Sequence, residues 1–255
     1  MYKLDVLVQG YPGKSVCHGG LGWSTVALLR GEGRVILIDV GAFGIRKELE
    51  KQLAARGVSA NVVTDVVLTH AHYDHSVNYT LFPSATVWIG RTELEWAHSV
   101  PPGFNPLPEL YVQDMARSPR VRLIEDGEKF LPGLTAIAAP GHTPGCLLFR
   151  LDAADPPVLF TGDAAKNRAE LLSLRTDMTM DADASRASLE TVWRLWRGTP
   201  GMVVVPGHDL TMRLDPHGRP EYLGERRAAI AAWFDEDLSV TIPIDLTEGH
   251  SCQTP

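Results

Sequence analysis

The sequence lacks any run of apolar residues long enough to cross a membrane, which would need about 18 or more in succession. Its first ten residues alternate like a strand and do not show the basic, then apolar, layout of a secretory signal. It has only three cysteines, Cys17, Cys146 and Cys252, and their wide spacing indicates neither a disulfide framework nor a zinc knuckle. We therefore expect a cytoplasmic protein with reduced thiols.

An excess of positive charge is also absent. The chain has 24 Lys and Arg against 31 Asp and Glu, which gives a formal net charge of −7 at pH 7. Such a chain has no general attraction for nucleic acid or anionic lipid, so we expect neither a nucleic acid nor a membrane as partner. No internal repeat or linker composition is evident, and 255 residues can bury a large core. The expected organisation is a single domain over residues 1–255.

Apolar periodicity predicts two halves, each made of strands followed by helices, and therefore a layered α/β arrangement. Strands are predicted at 1–9, 24–30, 35–39, 62–68, 85–89, 121–124, 134–139, 146–151, 158–160 and 202–205. Helices are predicted at 45–56, 77–82 and 91–97, then up to Arg197 with Asp183 or Ser185 as its cap, and at 221–234. The proline-rich segment 99–108 begins an irregular excursion, about 99–118, that we expect to cover the site. The last residues, about 236–255, are expected to form a loose tail.

One stretch places three imidazoles and a carboxylate within six positions: His70, His72, Asp74 and His75. It follows Val62–Leu68, an apolar and β-branched run that is typical of a buried strand. Side chains alternate along an extended chain, so His70, His72 and Asp74 share a side, and His75 can join them as the chain turns into a helix. Histidine and carboxylate together suit a borderline divalent metal such as zinc.

Three later segments repeat the same layout of a short strand, a glycine turn and a residue that can bind metal. These residues are His142 after Pro140-Gly141, Asp163 after Thr161-Gly162, and His208 after Pro206-Gly207. Sites in layered α/β proteins collect at one end of the strands, so these side chains are expected to converge on the histidine cluster.

At these positions the sequence resembles the metallo-β-lactamase superfamily. The matching motifs are H-x-H-x-D-H at 70–75, G-H-T-P-G at 141–145, T-G-D at 161–163 and G-H at 207–208, and the resemblance covers about residues 24–210. It implies a four-layer αββα sandwich with two metal ions at the rim between the sheets, and dimerisation is a family-level expectation. The implied ligands are His70, His72 and His142 for one metal and Asp74, His75 and His208 for the other, with Asp163 bridging.

The resemblance also implies that Asp39, in Asp39-Val40-Gly41, orients a ligating histidine. The other interpretation of Asp39 is an ordinary turn residue. Two divalent ions, with zinc favoured and manganese or iron as alternatives, can share a water and lower its pKa toward about 7. Asp74 is then both a ligand and the catalytic acceptor of the water's proton.

Variations within the motif set narrow the substrate. Family members that destroy β-lactams carry Cys or Ser, or an arginine, where this chain has Asp163 and His75, so the set looks more like the glyoxalase II, lactonase and phosphodiesterase branches. Acyl-homoserine lactonases carry a tyrosine where this chain has Lys166. Glyoxalase II usually has a helical C-terminal domain for glutathione, and only 47 residues follow His208 here, which weakens the expectation of a glutathione thioester as substrate.

Candidate substrate-binding residues surround the expected rim. Lys166 and Asn167 lie just past the bridging aspartate, where an ammonium could bind an anion or an oxyanion, although a solvated charge at a helix start is an equal alternative. Trp23 and Phe104 lie in loops and could form an apolar wall. Cys17 and His18 are adjacent, but neighbouring residues rarely face each other well, so no catalytic role is assigned to them.

The leading hypothesis is therefore a dinuclear metal hydrolase of a small ester, lactone or thioester. A phosphodiesterase or nuclease is an alternative, because the same metal pair activates water against phosphorus. A mononuclear iron sulfur dioxygenase, as in a related branch, is a third.

Overall fold

The strands and helices lie in residues 1–15, 19–104 and 106–247, which a computed structural model describes. The strands are β1 (Lys3–Val8), β2 (Lys14–Ser15), β3 (Gly19–Gly20), β4 (Val26–Gly31), β5 (Arg34–Ile38), β6 (Asp65–Val67), β7 (Thr86–Gly90), β8 (Val121–Ile124), β9 (Leu134–Ala138), β10 (Leu147–Leu151), β11 (Val158–Gly162), β12 (Val203–Pro206), β13 (Met212–Leu214), β14 (Pro220–Tyr222), β15 (Ala229–Ala232) and β16 (Ile242–Asp245). The α-helices are α1 (Arg46–Ala54), α2 (Tyr73–Ser76), α3 (Arg91–Ser99), α4 (Glu109–Arg117), α5 (Arg168–Ser173) and α6 (Ala182–Gly198). Short 3₁₀ helices are Phe43–Ile45, Ala60–Val62, Val77–Leu81 and Asp163–Ala165.

Two six-stranded mixed sheets form the centre of the molecule. The first has the order β1-β4-β5-β6-β7-β8, in which β5 to β8 run parallel because helices connect them. The second has the order β14-β13-β12-β11-β10-β9, and only β11 and β12, which α6 connects, are parallel. Parallel neighbours end at the same edge, so the loops after β6, β11 and β12 are brought to the sheet ends.

The core has three layers of contact. Alternate residues of β4 face opposite sides: Ala27 and Leu29 pack between the two sheets, whereas Val26 and Leu28 pack under α1 and α3. Phe149 and Phe160 of the second sheet fill the inter-sheet layer. On the outer face of that sheet lie Leu189, Val192 and the fully buried Trp196 of α6. The predicted αββα sandwich is confirmed.

The predicted excursion at 99–118 is irregular only in its first half. Residues 109–117 form helix α4, which begins after Pro108 and buries Val112 and Met115 against the first core layer. The prediction of irregular structure is therefore wrong for this half, because two apolar residues three positions apart have a surface to pack on.

The predicted helix at 221–234 is wrong. Tyr222 pairs with Met212 in the second sheet, Gly224 has φ +99, and Ala229–Ala232 pairs with Ile242–Asp245 in a two-stranded sheet. The Ala- and Arg-rich sequence favours a helix locally, but sheet pairing and the turn at Gly224 override that propensity. The strand at 242–245 also corrects the prediction of a loose tail over about 236–255. Residues 248–255, including Cys252, lie outside the described part of the chain.

Two smaller predictions are also resolved. Helix α6 begins earlier than predicted, because its cap is Asp181, which lies two residues before Asp183 and four before Ser185. Asp181 accepts hydrogen bonds from Asp183 N at 3.0 Å and Ala184 N at 2.9 Å. Cys17 and His18 lie outside the described residues, and Cys146 is buried and free.

Among the described residues, every helix is too short or too polar to span a lipid bilayer.

Candidate metal centre

The histidine motif forms a tight turn at the end of β6. His70 and His72 follow the strand, His72 occupies the N-cap position of α2, and His75 lies inside that one-turn helix. His70 and His75 are fully buried, and His72 nearly so. The prediction that a helical turn adds His75 is therefore right, but the prediction that Asp74 shares the extended run with His70 and His72 is wrong. Asp74 lies inside α2, and the helical turn places it with His75 and His208.

The three later residues stand at the ends of strands in the second sheet. His142 follows β9, Asp163 follows β11 directly, and His208 follows β12, and all three are buried. Gly162 has φ +47, and a Cβ there would lie 2.6 Å from Thr69 Oγ1. Glycine is required at this turn because both the left-handed backbone and the close approach to the histidine loop exclude a side chain.

Two groups of side chains converge between the sheets. The first group is His70, His72 and His142, and the second group is Asp74, His75 and His208; in each, the potential ligand atoms lie within 4.8 Å of one another. The sequence therefore predicted correctly which side chains lie together. Their function as metal ligands stays a prediction.

Asp163 lies between the two groups. Its Oδ1 is 3.1 Å from His75 Nε2 and 3.2 Å from His208 Nε2, and its Oδ2 is 3.2 Å from His142 Nε2. Asp74 Oδ2 is 3.6 Å from His75 Nε2 and 3.4 Å from His208 Nε2. One carboxylate thus contacts both groups, whereas the other contacts only the second.

The first group is made of neutral imidazoles. Burial lowers the pKa of His72 to about 4 and that of His142 to about 3, and it lowers the pKa of His70 well below the ordinary value. A neutral imidazole presents a lone pair, which is the form that binds a metal ion.

The second group is electrostatically different. Burial alone would lower the pKa values of His75 and His208. The negative charges of Asp163 and Asp74 outweigh this effect, so both pKa values lie above the ordinary value for histidine. Burial also acts to raise the pKa of Asp163, but the surrounding histidines, His208 first, hold it well below its usual range. Asp163 is therefore an ionised carboxylate in a buried position, where a bound cation would stabilise its negative charge.

The unpaired atoms at the centre fit a cation. His70 Nε2 is buried without a hydrogen-bond partner among the described residues. Nitrogens face each other at 2.9 Å between His72 and His142 and at 3.3 Å between His75 and His208. Five imidazoles with two carboxylates form the mixed nitrogen and oxygen donor set that zinc and similar divalent ions prefer.

Asp39 contacts the second group through His75. Its Oδ2 lies 2.7 Å from His75 Nδ1, and it accepts hydrogen bonds from Thr69 N and Thr69 Oγ1, both at 2.8 Å. Asp39 has φ +53, a conformation that is uncommon for a residue other than glycine. Of the two interpretations left open by the sequence, the contact with His75 favours orientation of the imidazole.

Lys166 and Asn167 both have partners within the protein. Lys166 Nζ lies 3.0 Å from Glu170 Oε1, and both side chains are largely buried. Its charge contributes to the low pKa of His72 and His142, which places the ammonium within electrostatic reach of the first group. Asn167 caps α5 by accepting a hydrogen bond from Glu170 N at 3.1 Å. Substrate binding by either residue stays a prediction.

Trp23 and Phe104 lie in segments of the chain that contact helix α2, which carries Asp74. Trp23 stacks on Tyr11 with ring centroids 4.9 Å apart, and the next residue, Ser24, donates a hydrogen bond to the backbone oxygen of Asp74. Phe104 is partly exposed and packs edge-on against Trp96 at 5.9 Å. The proline-rich excursion reaches the motif itself, because Tyr73 N donates to the oxygen of Pro106 at 3.2 Å.

Two buried carboxylates near the centre were missed from the sequence. Asp209 accepts hydrogen bonds from Arg168 N, Tyr222 Oη and Arg226, and so ties the C-terminal segment to the residue next to His208. Glu93 lies fully buried between the two ligand-bearing sheet ends. The position of Asp209 directly after a predicted ligand was a usable signal, whereas Glu93 looks like an ordinary acidic residue in the first turn of a helix.

Comparison with known proteins agrees with this geometry. A family model described as the metallo-beta-lactamase superfamily matches residues 19–208. Since the match covers most of the chain and includes all seven predicted ligands, the protein belongs to the metallo-beta-lactamase superfamily, as predicted.

Similar proteins include both curated relatives and solved structures. Metallo-beta-lactamase domain-containing protein 1 of Xenopus laevis is 26% identical over 224 residues, which cover 86% of this chain and 84% of that protein. An N-acyl homoserine lactonase of Bacillus sp is 25% identical over 163 residues, 62% of this chain and 60% of the lactonase. The structure of AidC, a dizinc quorum-quenching lactonase, superposes with a TM-score of 0.65 at 19% identity, covering 82% of this chain and 81% of that one, which supports the fold alone.

Proposed function

We propose that the protein is a dinuclear-metal-dependent hydrolase of a small ester, lactone or thioester. The observation that carries the proposal is the pair of buried ligand groups joined by Asp163. The first group would hold one ion and the second group the other, with Asp163 shared. Zinc is proposed ahead of manganese or iron because the donor set is dominated by imidazole.

Two bound divalent ions would supply Lewis acidity and lower the pKa of a water molecule into the neutral range. Asp74 would accept the proton, because its side chain is 16% exposed whereas that of Asp163 is 6% exposed, so a proton can leave from Asp74 to solvent. Lys166, held by Glu170, would stabilise negative charge that develops on the acyl oxygen. Trp23 and Phe104 would contact apolar parts of the substrate.

The similarity to an N-acyl homoserine lactonase supports an acyl compound as substrate. At the position where the family resemblance implies a tyrosine in such lactonases, this chain has Lys166. An ammonium in place of a phenol favours a substrate with more negative charge near the scissile bond than a neutral lactone has. We propose a homodimer as the assembly, on family-level grounds.

Removal of metal is expected to abolish hydrolysis. The purified protein should contain two divalent ions per chain, and a chelator should lower the rate on a panel of esters, lactones and thioesters by at least about 100-fold, because metal activation of water is lost. Zinc added back in stoichiometric amount should restore the rate. Absence of metal, or activity that survives chelation, would contradict the proposal.

Two other results would select the alternative functions. A higher rate on bis-p-nitrophenyl phosphate than on acyl substrates would select the phosphodiesterase or nuclease. One iron per chain, with oxygen consumption, would select the sulfur dioxygenase.

Replacing Asp39 with asparagine is expected to weaken metal binding by the second group about 10- to 100-fold. Asparagine adopts the left-handed backbone as readily as aspartate, so the φ of +53 is preserved. Its single oxygen can replace only one of the two carboxylate oxygens. Either Thr69 N, or Thr69 Oγ1 together with His75 Nδ1, then faces an amide NH2 group instead of an acceptor, and the negative charge is lost. Competition with a chromophoric zinc chelator measures the affinity. An unchanged affinity would mean that Asp39 is only a turn residue.

A further inference from the structure

Glu93 lies where the ends of the two sheets meet. It is in the first turn of α3, which directly follows β7. Strand β7 runs parallel to β6 and next to it, so α3 starts at the sheet edge from which the loop of His70 and His72 emerges. The loop of the second sheet that carries His142 is pressed against the same turn, because a Cβ added to Gly145 would overlap the backbone of Glu93.

The carboxylate of Glu93 connects both loops. Its Oε1 accepts a hydrogen bond from Ala71 N at 2.8 Å, and Ala71 lies between His70 and His72. Its Oε2 accepts hydrogen bonds from Thr143 Oγ1 at 2.7 Å and Gly145 N at 3.2 Å, in the loop that follows His142. We name these three hydrogen bonds the Glu93 bridge.

A carboxylate is a costly residue at a fully buried position. Burial without a cation carries a large desolvation penalty, and an apolar side chain of similar size would fill the space at a lower cost. A favourable interaction with the helix dipole does not require burial, since acidic residues do this from the surface. What the carboxylate adds is two acceptor oxygens that satisfy donors on two separate chain segments.

We propose that Glu93 is a positioning residue, which holds the loop of His70 and His72 against the loop of His142 and thereby pre-forms the first group for its metal ion. The inference rests on the proposed metal site. It assigns to Glu93 no contact with metal or substrate. The Glu93 bridge acts through the backbone of the residues beside the ligands, and through the hydroxyl of Thr143.

The test compares Glu93→Ala, Glu93→Gln and Thr143→Val by metal affinity and by the visible spectrum of the cobalt(II)-substituted protein. Glu93→Ala should weaken the binding of one of the two ions by about tenfold or more, as loss of residues that orient ligands commonly does. The cobalt spectrum should change, because the ligand geometry of the first group relaxes. Glu93→Gln retains an acceptor for Ala71 N and should recover part of the affinity.

Thr143→Val removes one hydrogen bond of the bridge with little change of shape. Its effect on affinity should be smaller than that of Glu93→Ala, and the effects of Glu93→Gln and Thr143→Val should not add in the double variant, since both act on one bond. The variants Glu93→Gln and Thr143→Val therefore still test the proposal if Glu93→Ala fails to fold.

Asp65→Asn is the matched control. Asp65 is also buried, but it accepts hydrogen bonds from Arg34 and Trp88 at the start of β6 and contacts no predicted ligand. The substitution Asp65→Asn should lower the thermal stability of the protein without altering its metal affinity or the cobalt spectrum. Equal losses of affinity in the Asp65 and Glu93 variants would overturn the proposal, as would wild-type affinity and spectrum in Glu93→Ala. A wild-type protein that binds no metal would overturn the proposed function as well.

Discussion

Asp163→Ala is expected to lower kcat/KM for the best acyl substrate by about 1,000-fold, or about 4 kcal/mol of transition-state stabilisation, because the carboxylate that would hold both metal ions is lost. Asp163 contacts both groups, since its carboxylate lies 3.1 Å from His75 Nε2 and 3.2 Å from His142 Nε2. Without it, the two groups would lose their proposed shared ligand. The pKa values of His75 and His208 would also fall, because the charge of Asp163 is the largest influence that raises them. Both metal content and activity should therefore fall.

Asp163→Asn separates charge from shape. The amide keeps the volume and one oxygen, so it should preserve the fold and retain the first ion better than alanine does, while activity stays low. Steady-state kinetics and metal quantitation of both variants give the result, and circular dichroism checks the fold. Activity within tenfold of the wild type in either variant, at full metal content, would show that Asp163 is not the shared ligand.

The position of the candidate site could be predicted because its signals are local. Each of the four segments has an apolar strand, a turn and a residue such as His70 or Asp163 that suits a metal, and the ends of strands in layered folds meet at one edge. The glycine of the turn can also be predicted. At Gly162, both the φ of +47 and the close approach of Thr69 exclude any residue with a side chain.

The errors arose where a long-range partner decides the structure. The segment 221–234 has a helical composition, but Tyr222 pairs with Met212, and both Tyr222 and Arg226 bind the buried Asp209. Glu93 has the sequence context of a helix-start acid, and only the approach of the loop at 143–145 reveals its role. Residue patterns over ten positions contain no information about such distant contacts.

The same carboxyl group makes the stability of the protein depend on pH. Burial raises the pKa of Glu93 from 4.5 to about 7, and the hydrogen bonds from Thr143, Ala71 and Gly145 only partly oppose this. The folded state therefore holds the proton at a higher pH than the unfolded state does. The contribution of the protonated group to stability is fully present below about pH 4.5 and is lost as the pH rises through about 7.

Wild type should consequently lose stability relative to Glu93→Gln as the pH rises from about 4.5 to about 7.5. The change in the difference between their free energies of unfolding should be about 3 kcal/mol, since one pKa unit corresponds to about 1.4 kcal/mol. Denaturant unfolding of both proteins in the presence of a chelator measures it, and taking the difference cancels the titration of the histidines that they share.

Glu95→Gln provides the reference substitution for this measurement. Glu95 lies two residues further along the same helix, with its side chain 64% exposed, so its exchange alters the same charge without altering the buried site. The effect of Glu93 is the excess over this reference. A difference between wild type and Glu93→Gln that stays constant from pH 4.5 to 7.5 would mean that Glu93 remains charged throughout. In that case the three hydrogen-bond donors outweigh burial at this position.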